Sequence, residues 1–565
     1  MRDFFQTPPK LGNQYEEDRV LKSYLEWKLP SSMLNEIQPE LHHLGQRVIE
    51  DILKLGQEAE ACPPRHIPYD PWGKRIDHIQ VSPAWKELDK ISAQEKLIAI
   101  GYERKHGAFS RIHQFAKLYL FHPSSAIYTC PLAMTDGAAR ALELHADESL
   151  KKHALPHLIS SDPNFFWTSG QWMTERTGGS DVSGTSTIAR PENSHFRLSG
   201  VKWFTSATTS QIAMTLARIE GAPEGSKGLS LFYLELRNQM GKLNGIRINR
   251  LKEKLGTRAL PTAELTLENA TALLVGEAGD GVKKISSLFN ITRIYNACCA
   301  VGYMRRALAL ARDYATKRVA FGHTLSKHVL HLETLANMQM EFTAGFHLVF
   351  HAIELLGKDE SGEATEKEQG VLRLLTPLVK LYTAKQAIAL VSEALEAFGG
   401  AGYIEDTGLP QLLRNAQVLS IWEGTTNILS LDALRAMHKE NAAEFFLEDL
   451  YQRLGQINRK ELIQSQVKVK AAIKKIKNHL ISMPEMTNAA QQAGARQLAF
   501  ALAQTYAASL LLEHAQWSLQ NNKDILPVIT ANRWCEKNLP ELVSFSKSYS
   551  NDSQILAMDY DEFHE

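Results

Sequence analysis

Late in the chain stands Ile421-Trp422-Glu423-Gly424-Thr425-Thr426-Asn427, the segment whose chemistry is most specific. It places one carboxylate between an aromatic ring and a glycine, directly before a predicted helix that Thr425 or Thr426 can cap. Apolar residues then recur at helical spacing, at Ile428, Leu431, Leu434 and Met437. An unpaired carboxylate in apolar surroundings should have a raised pKa, in the range that suits a general base. The alternative for Glu423 is a surface position stabilised by the helix dipole.

The bulk composition is that of a soluble globular protein with several domains. The chain has 565 residues, too many for one core, and roughly three or four domains are expected. Lys and Arg together equal Asp and Glu together, at 63 each, so the overall charge gives no sign of a nucleic acid or acidic membrane partner. The five cysteines form no C-x-x-C pair and are odd in number, which fits a reducing compartment.

The sequence predicts neither a membrane span nor a targeting segment. No apolar run approaches the roughly 18 residues that cross a bilayer. The start, Met1-Arg2-Asp3, resembles neither a secretory signal nor a transit peptide. We therefore expect a cytoplasmic protein, with an organelle such as the mitochondrion as the alternative, and we predict no metal site.

The hydrophobic pattern changes along the chain and predicts four regions, mainly α with a central β-barrel. Residues 1–165 are mostly helical, with helical periodicity at 42–55 and 93–120 and a loop rich in proline and aromatics at 62–85. Residues 166–282 contain β-rich runs at 196–200, 212–216, 229–234 and 263–267, which predict a small β-barrel or sandwich. Residues 283–437 are helical again, with a polar linker at 357–370. Residues 438–565 form a further helical domain with one apolar stripe at Leu462, Val469, Ile473, Ile476 and Leu480.

Two segments of the β region carry groups that suit a flat, phosphate-bearing ligand. The first reads Met173-Thr174-Glu175-Arg176-Thr177-Gly178-Gly179-Ser180-Asp181. Its glycines let backbone amides approach a ligand, and Thr174 and Ser180 add hydroxyls, although a tight turn capped by Asp181 is the alternative. The second reads Lys202-Trp203-Phe204-Thr205-Ser206. Its Trp203 either covers an aromatic cofactor or fills the barrel core.

Two segments of the second helical region add weaker signals. Arg318-Val319-Ala320-Phe321-Gly322 joins a guanidinium that can bind phosphate to an aromatic ring that can stack, although such pairs are common on surfaces. Phe398-Gly399-Gly400-Ala401-Gly402-Tyr403 is typical of a helix C-cap when taken alone. The order of all five segments is more specific than any one of them.

Together these segments resemble the acyl-CoA dehydrogenase family over roughly residues 90–440. The family patterns T-E-x-x-x-G-S-D, R-x-x-F-G, G-G-x-G-[YF] and [YW]-E-G-T match at 174–181, 318–322, 399–403 and 422–425. The pattern K-x-W-[IF]-T matches loosely at 202–205, where one residue fewer separates the lysine from the tryptophan. The resemblance implies a helical domain, a β-barrel and a helical bundle with FAD between them, in an oligomer whose neighbouring subunit completes each flavin site. The implied FAD-binding residues are Met173, Thr174, Gly179, Ser180, Trp203, Phe204, Thr205, Ser206, Arg318, Phe321, Gly399, Gly400, Thr425 and Asn427.

The resemblance also selects the catalytic base. Some members carry the base just before an arginine on the first helix of the bundle, but that position here is Thr292, before Arg293. The resemblance therefore implies that Glu423 removes the α-proton of a medium or long fatty acyl-CoA while the β-hydride passes to FAD. In the family, the amide of the base and a flavin hydroxyl polarise the thioester carbonyl. Arg293 is expected to bind substrate, and a homotetramer (a dimer of dimers) and an electron-transfer flavoprotein are the expected partners.

A narrower resemblance covers nearly the whole chain. Leu11-Gly12-Asn13-Gln14-Tyr15, Pro83-Ala84-Trp85, Cys130-Pro131 and the extra C-terminal domain are similar to the alkylation-response branch of the family. This branch implies a second hypothesis, a flavin-containing acyl-binding or DNA-protective protein with weak dehydrogenase activity. Lysines between Lys468 and Lys477 could contact DNA phosphates. A solvated helix face is favoured instead, because the net charge is zero and no base-reading aromatics are interleaved.

The chain departs from the family pattern at four positions in or near the expected flavin site. These are Val329, Glu396, Asn415 and Ser430, where Gln, Gln, Asp and Arg are usual. Arg435 lies twelve residues after Glu423 and about three turns along the following helix. Two roles are open for Arg435, because it could orient Glu423 or could pair with it and lower its pKa.

Overall fold

The computed structural model of the chain describes residues 6–540, Leu542 and residues 547–559. Residues 1–5 of the first predicted domain and residues 560–565 of the last predicted domain lie outside the described residues. Helices dominate, and one closed β-barrel separates two helical regions, so the predicted fold class is confirmed.

The N-terminal region is helical, as predicted, but it also contains a β-hairpin. Its elements are α1 (Arg19–Lys28), α2 (Ser31–Arg47), α3 (Asp51–Ala61), β1 (Arg65–Tyr69), β2 (Arg75–Gln80), α4 (Pro83–Gln94), α5 (Ala99–Glu103), α6 (Ser110–Phe121), α7 (Thr129–His145) and α8 (Glu148–Leu158). The prediction of a loop throughout 62–85 is wrong there. Asp77 fixes the hairpin, because it accepts hydrogen bonds from His66 and Arg75 on its own strands and from the amide of Ile248 on the barrel.

The predicted long helices at 42–55 and 93–120 are both interrupted. The first is divided at residues 48–50, and the second is divided on both sides of the short helix α5. Lys96 and Arg104 flank α5 with φ angles of 55° and 47°. A left-handed residue cannot continue a right-handed helix, so each of these residues ends the helical run.

The β region forms a closed barrel. Its strands are β3 (Ser169–Trp172), β4 (Ile188–Glu192), β5 (His195–Ser206), β6 (Ile212–Ile219), β7 (Leu229–Glu235), β8 (Ile246–Leu251) and β9 (Thr262–Leu274). Strands β6, β4, β5, β9 and β7 pair in that order, and β7 pairs with β6 to close the ring. Strand β3 adds to β6 in parallel and β8 adds to β9. All four predicted strands lie within β5, β6, β7 and β9, and the barrel replaces the sandwich alternative.

The second helical region is a bundle of long helices. It comprises α9 (Gly281–Lys317), β10 (Val319–Ala320), β11 (His323–Thr324), α10 (Val329–Glu360), α11 (Glu366–Ala397), α12 (Leu409–Val418) and α13 (Thr426–Lys439). The predicted linker at 357–370 is shorter than expected, because α10 continues to Glu360 and a capping box between Thr365 and Glu368 starts α11. Helix α11 is long and apolar enough to cross a membrane, but 78% of its most apolar window is buried, which identifies it as a core helix.

The C-terminal helices pack directly on this bundle. They are α14 (Ala442–Gly455), α15 (Ile463–Ser482), α16 (Asn488–Gln520), α17 (Leu526–Lys537) and α18 (Lys547–Met558). Side chains of α14 and α16 share one apolar core with α10 and α11. The predicted stripe on α15 is buried from Leu462 to Ile476, and the lysines 474, 475 and 477 lie on the exposed side. Ion pairs from Glu333 on α10 to Arg533 and Lys537 on α17 complete the contact.

Candidate active site

Glu423 lies in the turn between α12 and α13, with its backbone in the left-handed region. Its φ angle is 56°, and that of Gly424 is 98°. A non-glycine residue in this region costs roughly 1–2 kcal/mol, so other contacts must hold the turn in place. One of them is Lys380 on α11, whose Nζ donates to the carbonyl oxygen of Gly424 at 2.6 Å. Lys380 therefore fixes the conformation that aims the carboxylate.

Two side chains donate to the two oxygens of the Glu423 carboxylate. The hydroxyl of Thr292 on α9 lies 2.7 Å from Oε2. The amide nitrogen of Gln171 on β3 lies 3.4 Å from Oε1. Bundle and barrel thus meet at this carboxylate, because its partners come from both.

The pKa of Glu423 is raised above its usual value, as the sequence predicts. Burial is the largest cause, since the protein around the carboxylate replaces the water that would stabilise its charge. Hydrogen bonds from Thr292 and Gln171 and the charges of Arg293 and Lys380 act in the opposite direction. The result is a carboxylate held in place by donors yet readier than an exposed glutamate to accept a proton.

Arg293, rather than Arg435, is the arginine whose charge acts on Glu423. Arg293 donates to Asp432 at 2.8 Å and lies next to Thr292 on α9. Arg435 is largely exposed and pairs with Asp432 within its own helix, so both roles considered for it are wrong. Arg435 lies one helical turn after Asp432, and the ion pair between them determines where the Arg435 side chain lies.

The glycine loop after β3 is fixed by a buried ion pair. Glu175 accepts a hydrogen bond from Nζ of Lys202 on β5 at 2.8 Å, and also from the hydroxyls of Ser186 and Thr187. This anchor leaves Gly179 and Ser180 exposed at the loop tip, while Met173 is buried below it. A Cβ on Gly179 would lie 2.8 Å from Oγ1 of Thr174, so a larger residue there would displace the Thr174 side chain. The loop therefore presents backbone and hydroxyl donors outward, as a phosphate or ring edge would need.

Beside this loop, strand β5 presents two aromatic rings. Trp203 donates its amide to the carbonyl of Thr174 at 2.9 Å and is half-buried, and its neighbour Phe204 is 56% exposed. The tryptophan in the barrel core is Trp172 instead. Thr205 is buried and its hydroxyl bonds the carbonyl of Ala263, while the hydroxyl of Ser206 bonds that of Thr262.

The remaining predicted cofactor residues lie outside the barrel. Arg318 donates to Gln6 at 2.9 Å, and Phe321, at the tip of the β10–β11 hairpin, is 96% exposed. No hydrogen bond among the described residues joins this hairpin to the glycine loop. Four other predicted cofactor residues are also exposed, namely Gly399, Gly400, Thr425 and Asn427. The single chain therefore brings the barrel half of the predicted site together and leaves the other half facing outward.

Sequence reasoning missed two residues that contact Glu423 or its turn. Gln171 stands two positions before the recognised glycine motif, and nothing local distinguishes it. Lys380 carried a usable signal, since it is a single lysine inside the apolar run from Leu374 to Tyr382 and is fully buried. In the described part of the chain, no group of His, Cys, Asp and Glu side chains is arranged for a metal ion.

Family models match four consecutive segments of the chain. They describe the N-terminal domain of the adaptive response protein AidB at residues 6–163, the acyl-CoA dehydrogenase middle domain at 170–270, the acyl-CoA dehydrogenase C-terminal domain at 279–438, and an acyl-CoA dehydrogenase 11 C-terminal domain-like segment at 441–561. The last two meet near residue 440, where α13 ends.

Whole-chain relatives show the same similarity. Acyl-CoA dehydrogenase family member 11 of Caenorhabditis elegans is 45% identical over 548 residues, which cover 94% of this chain and 88% of that protein. AidB of Escherichia coli K12 is 32% identical over 423 residues, 73% of this chain and 76% of AidB. The crystal structure of Caenorhabditis elegans ACDH-11 in complex with C11-CoA has a TM-score of 0.96 at 44% identity, over 100% of this chain and 98% of the other. The apo-form of Bd2924 has a TM-score of 0.84 at 51% identity, over 91% of this chain and 100% of the other.

Proposed function

The chain belongs to the acyl-CoA dehydrogenase family, and on that premise we propose that Glu423 is the base that removes the α-proton of a medium- or long-chain acyl-CoA thioester. The observation that carries the proposal is the setting of this half-buried carboxylate, in which the surrounding protein raises its pKa while Thr292 and Gln171 hold both of its oxygens. A base with this environment accepts a proton more readily than an exposed glutamate does. The family resemblance predicted from the five motifs is confirmed.

In the proposed reaction Glu423 receives only a proton. The bond between the α-carbon and its hydrogen breaks, an O–H bond forms on the carboxylate, and the electron pair left on carbon enters the new double bond as the β-hydride departs. Bound FAD supplies the acceptor for that hydride. The related ACDH-11 of Caenorhabditis elegans has been crystallised with C11-CoA, which supports a medium or long acyl chain here.

The residues around the glycine loop fit FAD by the chemistry of their donors. Exposed backbone at Gly179, the hydroxyls of Thr174 and Ser180 and the partly exposed ring of Trp203 suit a ligand with a flat ring and polar edges. The guanidinium of Arg176 lies 4.8 Å from the centre of the Trp203 ring, so a cation also stands near the loop. We propose that these residues hold the flavin and that Met173, Phe204, Thr205 and Ser206 shape the same site.

A second subunit is proposed to complete this site. Several apolar side chains in or next to the β10–β11 hairpin and the glycine-rich segment 399–403 are almost fully exposed in the single chain. They are Phe321 at 96%, Tyr403 at 87%, Val329 at 84% and Leu330 at 81%. Large apolar side chains with this degree of exposure are typical of an interface when they form one patch. We propose a homotetramer built as a dimer of dimers, in which Arg318, Phe321, Gly399 and Gly400 meet the flavin of a neighbour and Thr425 and Asn427 contact the flavin as well. From the family resemblance and the composition, we also propose an electron-transfer flavoprotein as acceptor and a cytoplasmic location.

The variant Glu423→Gln tests the proposal. Both proteins should purify with FAD and bind acyl-CoA, but bleaching of the flavin by a saturated medium-chain acyl-CoA should slow by at least ~10²–10⁴-fold in the variant, because an amide cannot accept the α-proton. Glu393→Gln, an exposed position on α11, is the control and should bleach at the normal rate. Equal bleaching rates in Glu423→Gln and the wild type would refute the assignment.

A further inference from the structure

The hydroxyl of Thr292 has two acceptors within reach but only one hydrogen to donate. Oγ1 lies 2.7 Å from Oε2 of Glu423 and 3.1 Å from the carbonyl oxygen of Phe289, one turn earlier on α9. It can donate to one of them at a time and accept from a donor on its other side. Rotation about a single bond therefore converts Thr292 from a donor to Glu423 into an acceptor from Glu423, without movement of the backbone.

Gln171 has the same property at the other carboxylate oxygen. Its amide nitrogen lies 3.4 Å from Oε1 of Glu423, and its own side-chain oxygen is buried with no hydrogen-bond partner among the described residues. A buried carbonyl oxygen without a donor is costly, so this amide is not fully satisfied while Glu423 is a carboxylate. A half-turn of the amide presents that oxygen to Glu423 in place of the nitrogen.

The charged neighbours of Glu423 cannot change roles in this way. Arg293 has no acceptor atoms, and Lys380, when protonated, has none either. Both favour the carboxylate form of Glu423. Cys130, the remaining titratable neighbour, is itself disfavoured as an anion by burial, which raises the pKa of its thiol. Among the described residues around the carboxylate, Thr292 and Gln171 are thus the two that can hydrogen-bond Glu423 in both of its protonation states.

We propose that Thr292 and Gln171 form an invertible clamp on Glu423: both donate to the carboxylate before proton transfer, and afterwards the one that faces the protonated oxygen accepts from its O–H while the other still donates to the carbonyl oxygen. The proposal rests on the proposed function, in which Glu423 takes the α-proton. Both are positioning residues, since they act through Glu423. The clamp keeps Glu423 hydrogen-bonded in both protonation states, so its carboxyl group stays in the same position throughout the catalytic cycle.

Removal of the Thr292 hydroxyl should raise the pKa of Glu423. A hydrogen bond to a charged acceptor is stronger than one to a neutral partner, so the hydroxyl stabilises the carboxylate more than the acid. In Thr292→Val, which keeps the shape, we expect the pKa to rise by about one pH unit. In Thr292→Ser, which keeps the hydroxyl, we expect the pKa to stay within about 0.3 of the wild type. Gln171→Met should cause a smaller rise than Thr292→Val, because its contact with Glu423 is longer.

Two readouts measure this pKa. The first is an infrared titration of the protonated carboxyl band of Glu423, identified by its absence in Glu423→Gln. The second is the acidic limb of the pH profile of kcat, which should move to higher pH in Thr292→Val and remain in place in Thr292→Ser. Retention of FAD and an unchanged melting temperature show that each variant is folded. A general loss of packing would lower kcat without moving the limb in step with the infrared pKa.

The outcomes separate the clamp from the proposed function. If Glu423→Gln bleaches normally with acyl-CoA, Glu423 is not the base and the proposed function fails first. If Glu423→Gln is inactive but Thr292→Val titrates like the wild type, the base assignment stands and the clamp is refuted. The clamp is also refuted if Thr292→Ser shifts as far as Thr292→Val, since the hydroxyl would then not be the relevant group.

Discussion

Replacement of Lys380 by methionine should make the protein more stable and less active. Lys380 is fully buried on α11, and its one hydrogen bond among the described residues goes to the carbonyl of Gly424 at 2.6 Å. Burial lowers the pKa of this lysine from 10.5 to about 7, against the attraction of the Glu423 carboxylate, while the charge of Arg293 lowers it further. Methionine matches the length of the lysine stem but carries no charge, so Lys380→Met isolates the ammonium group.

The size of the stability effect follows from this pKa. Between pH 7 and 10.5 the unfolded chain holds a proton on Lys380 that the folded chain lacks, so stability rises with pH through that window. A fall in pKa from 10.5 to about 7 corresponds to about 5 kcal/mol of lost stability at and below pH 7. Methionine removes this cost but leaves the Gly424 carbonyl without its donor, which costs about 1–3 kcal/mol. The net expectation is a gain of about 2–4 kcal/mol near pH 7.

Activity should change in the opposite direction. The variant loses the contact that holds the left-handed turn at Glu423 and loses a positive charge that favours the carboxylate. Turnover near pH 7 should therefore fall by roughly 10–100-fold, because the turn no longer aims Glu423 and a larger fraction of the carboxyl group is already protonated at that pH.

Thermal melting between pH 6 and 10, measured beside steady-state turnover, checks both expectations. Lys385→Met, at a half-buried position on the same helix, is the matched control and should change neither quantity much. A lower melting temperature for Lys380→Met than for the wild type at pH 7 would refute the reasoning. The reasoning would also be refuted if the melting temperatures of the wild type and of Lys380→Met depended on pH in the same way.

Two further predictions concern the junction of the bundle with the C-terminal helices. Deletion of all residues after Glu440 should lower solubility and melting temperature before it affects flavin chemistry. The reason is that α10 and α11 would lose the apolar partners that α14 and α16 supply. A soluble fragment with an unchanged melting temperature would contradict this prediction. Glu341 on α10 accepts hydrogen bonds from Tyr382 at 2.6 Å and Asn538 at 3.3 Å, and burial raises its pKa from 4.5 to about 7. The folded chain therefore holds an extra proton between these values, and the wild type should lose about 3 kcal/mol of stability as pH rises through this window. Glu341→Gln should remove that loss, which melting at pH 5 and pH 8 would show, and an identical pH dependence in both proteins would exclude it.

The sequence alone determined the fold class and the four barrel strands that it specified, and its family resemblance selected Glu423 as the base proposed above. A β-rich run of five or six residues bounded by turn residues is a local property, and so is the helical period of α9 to α11, because both follow from neighbouring residues along the chain. The direction of the Glu423 pKa also followed locally, since Trp422 and the apolar face of α13 indicated the surroundings that raise it. The β1–β2 hairpin was missed because Asp77 is held partly by the barrel, which no nearby residue reveals.

Only the tertiary structure decided which groups hold the Glu423 carboxylate. Thr292 is 131 positions from Glu423 and Gln171 is 252 positions away, yet each contacts one oxygen of the same carboxylate. Arg435, twelve positions away, had been a candidate by spacing alone, but it pairs with Asp432 on its own helix. Periodicity fixes the direction of a side chain relative to its own helix or strand, whereas a hydrogen bond requires two atoms within about 3.5 Å of each other. That proximity arises only when barrel and bundle pack together, so the partners of Glu423 became visible only in the folded chain.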